Sequence, residues 1–234
     1  MKTTPFLTSL ALAGLSLNAN AASILPISSI TGFSGGDSYT PQDFTPLTNG
    51  FGITKPDAND PSTWTNGAAS PSGGAIYKDE WYDHYLVAAA NGKLAWVSFD
   101  LGSAQTTLDN LYIINSDAQS NITATATFNI YHAVTPTVAL PAPPGGNQAV
   151  DYDFASGGWT QLGSTQSIGV LTSAYAYDLS GITSARYIAL EIMTAFKPSD
   201  GRVGFDEIAI TAIPEPSAAL LGGLGMLALL RRRR

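Results

Sequence analysis

One run rich in oxygen donors in this 234-residue chain is Asp57-Ala58-Asn59-Asp60-Pro61-Ser62-Thr63. Calcium takes about six to eight oxygens from carboxylates, amides, hydroxyls and backbone carbonyls, and one polar loop can supply several. Asp57, Asp60 and Thr63 are therefore candidate ligands for a structural Ca2+. The same residue types also cap turns by accepting bonds from nearby backbone amides, and spacing alone leaves both roles open. A second stretch, Lys78-Asp79-Glu80-Trp81-Tyr82-Asp83-His84-Tyr85, interleaves three aromatic rings with charge. A sugar site needs an aromatic platform with hydrogen-bonding neighbours, which makes Trp81, Tyr82 and Tyr85 candidate ligand-binding residues. Packing along a strand or sheet edge is the competing explanation for the same rings.

Catalysis asks for more than these residues offer. A nucleophile needs a base within reach. The chain has no cysteine, its only histidines are His84 and His132 in unrelated contexts, and no Gly-x-Ser-x-Gly elbow precedes a helix. Two distant histidines without cysteine give no zinc-ligand spacing. Acidic pairs such as Asp79-Glu80 and Asp151/Asp153 are the solvated surface expected of an acidic chain. No enzymatic role is expected.

The elements that must position these groups lie between two terminal segments with a different purpose. At the N-terminus, Lys2 precedes an apolar stretch from Phe6 to Leu17 and the small-x-small triplet Ala19-Asn20-Ala21. That is the three-part layout of a secretory signal, residues 1–21, cut by signal peptidase after Ala21. At the C-terminus, residues 213–234 begin Ile213-Pro214-Glu215-Pro216, continue as an uncharged run 217–230, and end in Arg231, Arg232, Arg233 and Arg234. The prolines stop the preceding element, and the arginines should remain cytoplasmic. As a helix at about 1.5 Å per residue the run spans roughly 21 Å. That is short of the ~30 Å hydrocarbon core, so it reads as a marginal transmembrane helix.

The Pro214-Glu215-Pro216 triplet, the short apolar helix and the arginine cluster, in that order, resemble the PEP-CTERM sorting signal. The resemblance implies export by an exopolysaccharide-producing Gram-negative bacterium. It also implies cleavage near the triplet by an exosortase, a membrane-embedded cysteine transpeptidase. The expected route is the inner membrane first, then the cell surface or the extracellular matrix.

Residues 22–212 then form one domain, large enough to bury a core. Without cysteine it must hold together by packing, hydrogen bonds or metal. It carries six basic and seventeen acidic side chains. Such a surface argues against nucleic acid as a partner and suits cations or neutral ligands. Its strands show in period-two alternation. Val97, Phe99 and Leu101 share one face; Leu111 to Ile114 is a short apolar run; Phe128 pairs with Ile130; Ile188, Leu190 and Ile192 stand opposite Tyr187, Ala189 and Glu191; Ile208 and Ile210 point inward. No amphipathic helix appears, so the fold class is all-β, a sandwich or jelly roll. Ser34–Gly74 should be mostly loop, and the Pro-rich Val134–Asn147 a protruding loop between strands.

The order of the pieces resembles the discoidin, or coagulation factor 5/8 type C, group. Those pieces are Asn49-Gly50, Ser62-Thr63-Trp64, Trp96-Val97-Ser98-Phe99-Asp100-Leu101-Gly102, Phe128-Asn129-Ile130-Tyr131, Trp159-Thr160-Gln161-Leu162, Ala185-Arg186-Tyr187-Ile188-Ala189-Leu190 and Gly204-Phe205-Asp206-Glu207-Ile208. The resemblance implies a galactose-binding-like jelly-roll β-sandwich, a group in which many members bind carbohydrate. It places Trp64 in the core and adds Asn49 and Glu207 to the calcium ligands. Two departures stand out. Asn49-Gly50 replaces the group's Asp-Gly turn, far from Thr63-Trp64, and the Pro-rich insertion replaces a short hairpin before Trp159. Three roles follow: an exosortase-sorted, non-catalytic surface or matrix protein associated with exopolysaccharide; a carbohydrate-binding module with a defined saccharide; and a secreted hydrolase, for which residues are lacking.

Overall fold

The computed structural model describes residues 22–33, 47–48, 50, 53–66, 81–83, 94–115, 124–141, 152–170, 173–196 and 203–214, with backbone only at Phe33 and 81–83. Thirteen strands occur among them: β1 (Ser23–Ile24), β2 (Ser29–Phe33), β3 (Ile53–Thr54), β4 (Thr65–Asn66), β5 (Trp81–Asp83), β6 (Trp96–Gln105), β7 (Leu108–Asn115), β8 (Thr125–Ala133), β9 (Thr160–Gln161), β10 (Gln166–Ser167), β11 (Tyr175–Asp178), β12 (Ala185–Ala195) and β13 (Val203–Ala212). One short 3₁₀ turn, Pro61–Thr63, joins them. No helix among the described residues is long and apolar enough to cross a membrane. Residues 1–21, Glu215, Pro216, the run 217–230 and Arg231 to Arg234 lie outside the described residues; Pro214 is two residues beyond the end of β13, after Ile213.

The strands build two facing antiparallel sheets, a β-sandwich. One runs β1-β13-β7-β11, with β5 also on β13; the other runs β10-β8-β12-β6-β2, with β9 also on β8. A separate two-stranded pair, β3 and β4, lies over the first sheet. The alternation seen in the sequence decides which side chains face inward. Val97, Phe99, Phe128, Ile130, Ile188, Leu190 and Ile192 from one sheet meet Leu111, Ile113, Phe205, Ile208 and Ile210 from the other in a single apolar core. Phe128 touches Phe205 and Tyr177 edge-on across the gap, with ring centroids 5.9 and 5.1 Å apart. Edge-to-face contact is the arrangement ring quadrupoles favour.

Two further clusters cover the outer faces. Trp64, at the end of the 3₁₀ turn, packs with Ile114 and Ala209, with Ile24, Ile53 and Tyr112 beside them. This agrees with the core position the resemblance implied for Trp64. On the other sheet, Trp96, Tyr131 and Ala189 are covered by Tyr152, Phe154 and Trp159. Tyr131 stacks on Phe154 at 4.8 Å, and Phe154 meets Trp159 edge-on at 5.1 Å.

This second cluster bears on the reading of Val134–Asn147 as a protruding loop only at residues 134–141, which leave the sheet but do not stand free; residues 142–147 lie outside the described residues. The described part is clasped to residues 152–159. The Thr137 N–H donates to the Gly157 carbonyl at 2.9 Å, the Tyr152 hydroxyl to the Val138 carbonyl at 2.7 Å. Leu140 packs against the aromatic cluster, while Val134 and Val138 are exposed. Prolines keep the segment out of the sheet, but three aromatic rings downstream give it an apolar surface to lie against.

The pairing registers gather strand termini at one end. Phe33 pairs with Trp96, Trp96 with Glu191, and Ala195 with Thr125, so β2 ends where β6 and β8 begin and β12 ends. Phe205 pairs with Asn115, and Tyr175 with Ile113, which brings β7, β11 and β13 to the same end. At this end β2, β7 and β12 stop and β6, β8, β11 and β13 start.

Candidate functional site

Two places hold the residues singled out for binding. The first is the loop from Gly50 to Trp64, which lies over β13. Asp60 caps the 3₁₀ turn: its Oδ1 accepts from the Ser62 N–H at 3.0 Å and the Ser62 hydroxyl at 2.6 Å. Asp57 Oδ1 accepts from the Asn59 N–H at 2.8 Å. Thr63 Oγ1 donates to the Asp60 carbonyl at 2.8 Å and accepts from the Asp57 N–H at 3.3 Å. The Asp57 carbonyl accepts the indole N–H of Trp64 at 2.8 Å, which locks the loop to a buried ring. Asp57, Asp60 and Thr63 are thus brought together, but as turn-forming groups that answer one another.

Glu207 arrives from β13. It is almost fully enclosed, with a side chain 2% exposed. One oxygen accepts the Lys55 ammonium at 2.9 Å and the other the Gly50 N–H at 2.9 Å. Burial pushes the Glu207 carboxyl above its ordinary range, while Lys55 and the Gly50 N–H pull it back. Lys55 Nζ also sits 3.8 Å from the centre of the Trp64 ring, a cation–π contact. Asn49 lies outside the described residues. Among the described residues, the donor set does not fit calcium as it stands. The carboxylate of Glu207 is held by an ammonium, and Oδ1 of Asp57, Oδ1 of Asp60 and Oγ1 of Thr63 answer the loop's own donors. No group of three or more acidic or histidine side chains that could hold a metal gathers among the described residues.

Lys55 is the residue sequence reasoning missed. Its partner Glu207 is 152 positions away, and no local pattern signals a contact at that distance.

The second place is the end of the sandwich where β2, β7 and β12 stop and β6, β8, β11 and β13 start. β5 pairs with the start of β13, Trp81 opposite Phe205 and Asp83 opposite Val203. β13 has β7 on its other side, so among the described residues Trp81, Tyr82 and Asp83 form the sheet's edge strand at that end. Tyr85 lies outside the described residues. An edge position accommodates either of the roles the sequence left open for these rings: edge packing or ligand contact.

Just inside this end, a buried polar clasp joins the two sheets. The amide of Asn115, at 0% exposure, donates to the carbonyls of Thr125 at 2.8 Å and Gly169 at 2.9 Å. Its Oδ1 accepts the Thr125 N–H at 3.1 Å, and the Thr125 hydroxyl donates to the Gly204 carbonyl at 3.0 Å. The clasp fixes where β7, β8 and β13 stand relative to one another.

No protein-family model matches the sequence, and no curated protein matches it. Several solved structures are similar to it. The F5/8 type C domain of a Bacteroides fragilis protein has 12% identity and a TM-score of 0.49, covering 82% of this chain and 97% of that one. The CBM32 of AlyQ in complex with 4,5-unsaturated mannuronic acid has 19% identity and a TM-score of 0.43, covering 80% and 96%. The family 32 CBM from C. perfringens NanJ in complex with galactose has 12% identity and a TM-score of 0.42, covering 81% and 98%. Likenesses of this degree carry no conclusion about ligand, and the sandwich architecture stands on the strand pairing itself.

Proposed function

We propose that this chain is an exported, non-catalytic, galactose-binding-like jelly roll that binds a saccharide at its β5-bearing end and is delivered to the cell surface by exosortase sorting. The observation that carries the binding reading is the placement of Trp81–Asp83. Trp81–Asp83, from the most aromatic stretch of the polar sequence, forms the edge strand, among the described residues, at the end where β2, β7 and β12 stop and β6, β8, β11 and β13 start. Loops on a rigid sheet frame are where binding residues concentrate, and an aromatic ring beside polar groups suits the apolar face and hydroxyl rim of a sugar. The carbohydrate complexes of the similar structures agree with this reading without deciding it.

Delivery rests on the terminal segments. Signal peptidase removes residues 1–21, the run 217–230 holds the chain in the inner membrane, and exosortase cuts near Pro214-Glu215-Pro216. The acidic surface favours a neutral or basic saccharide of the surrounding exopolysaccharide over an acidic one. The test is a glycan array probed with the purified chain and with Trp81→Ala. The expected result is one saccharide class retained by the parent chain, recovered chemically intact, and held about tenfold or more weaker by the variant. Equal binding by both proteins would remove Trp81 from the site. Binding of nothing on the array would favour a matrix protein without a specific ligand.

A further inference from the structure

We infer that the ammonium group of Lys55 is the resident cation of the pocket between Gly50, Trp64 and Glu207, tying the loop to β13 without a metal ion. Four observations meet at this one atom. Nζ lies 2.9 Å from Glu207 Oε1. The same carboxylate receives the Gly50 N–H on its other oxygen. Nζ faces the Trp64 ring at 3.8 Å, and that ring is itself held to the loop through the Asp57 carbonyl. Gly50, at φ +71°, leaves the space a side chain would fill, and a Cβ there would stand 2.5 Å from Nζ.

The physical logic is charge compensation. A carboxylate as enclosed as Glu207 needs an opposite charge beside it. A divalent ion and an ammonium cannot share the position, because each repels the other at contact distance. The side chain of Lys55 reaches the pocket from within the same loop, with 25% of its surface exposed. A covalently attached cation cannot be chelated away or depleted. This makes the domain's cohesion independent of extracellular calcium, and the inference is independent of what the domain binds.

The test is thermal unfolding of the full chain with a chelator and with millimolar calcium, alongside Lys55→Met, Lys55→Arg and the double variant Lys55→Met/Glu207→Gln. The parent chain should melt at the same temperature in both solutions. Lys55→Met should melt lower by on the order of 5 °C, and removing the Glu207 charge as well should restore most of that loss. A parent melting temperature that falls on chelation, or rises on adding calcium, would overturn the inference. So would a Lys55→Met variant as stable as the parent. If Lys55→Met fails to fold, the parent series and the charge-retaining Lys55→Arg still decide: calcium dependence in either contradicts the inference, and indifference in both supports it.

Discussion

Arg186 closes both arms of its guanidinium on Asp100, Nε to Oδ1 at 2.9 Å and Nη2 to Oδ2 at 2.8 Å. Asp100 belongs to the Phe-Asp-Leu-Gly stretch in the middle of β6 and Arg186 to the Ala-Arg-Tyr start of β12. Two of the sequence pieces that suggested the fold are therefore one device. The pair sits where the register between β12 and β6 slips, between Ala185 and Tyr187. Gly102 completes it: its N–H donates to Asp100 Oδ1 at 2.8 Å, and its φ of +78° is a conformation that suits glycine.

This pair predicts an acid-dependent loss of stability. The Arg186 hydrogen bond, helped by the Gly102 N–H and opposed by burial, holds the Asp100 carboxyl below its ordinary range. A group with a folded-state pKa below its unfolded value adds stability above the unfolded value. That stability is lost as pH falls through the folded one. The contribution should therefore be full near neutrality and fade below about pH 4. Asp100→Asn should remove it. Urea unfolding near neutrality and in acid should show a gap between the two conditions that is smaller in the variant. The change should be about 1 kcal/mol or less, because the pair is partly exposed. Arg186→Lys should behave like a partial loss, since an ammonium cannot make both contacts at once.

Tyr152 predicts how firmly the Pro-rich segment is held. Its hydroxyl donates to Val138 and accepts the indole N–H of Trp159 at 3.0 Å. Tyr152→Phe keeps the ring but leaves a buried indole donor and a carbonyl without this partner. The expected cost is roughly 1–3 kcal/mol in denaturant unfolding. Limited proteolysis should also cut within 134–151 faster in the variant. Unchanged cleavage would mean the clasp does not depend on that hydroxyl.

Asn115 predicts the rigidity of the β5-bearing end. Asn115→Ala removes three hydrogen bonds that cross between β7, β8 and the segment before β11, and it leaves their backbone partners buried. A loss of about 3 kcal/mol is expected. Amide hydrogen exchange should rise at Thr125 and its neighbours before it rises at Ile188 or Leu190. Uniform acceleration across both sheets would show global destabilisation instead.

The long central strands were legible because hydrophobic alternation survives over eight or more residues. Ile188, Leu190 and Ile192 face the core as their spacing requires, and so do Val97, Phe99, Phe128 and Ile130. The pairs β9 and β10 were not legible, because two residues cannot display a period. β11 escaped for a related reason: its four residues, Tyr-Ala-Tyr-Asp, carry no aliphatic signal. The loop 57–63 was legible as a cluster of oxygen donors but not in its role. That role depends on which donors the oxygens answer, and Lys55 and Glu207 meet only once the whole chain is folded. For Trp81 and Tyr82, the structure places the strand at an edge, a location that period and composition could not supply.

The saccharide reading is tested most directly by titrating the full chain with the best saccharide from the array, at low and at high salt. Stacking and hydrogen bonding to a neutral sugar are not screened, whereas adhesion through an acidic surface falls away once the Debye length shrinks to about 3 Å near 1 M salt. The account predicts saturable binding at one site with a dissociation constant nearly the same in both solutions. Binding that never saturates, or that disappears in high salt, would contradict it.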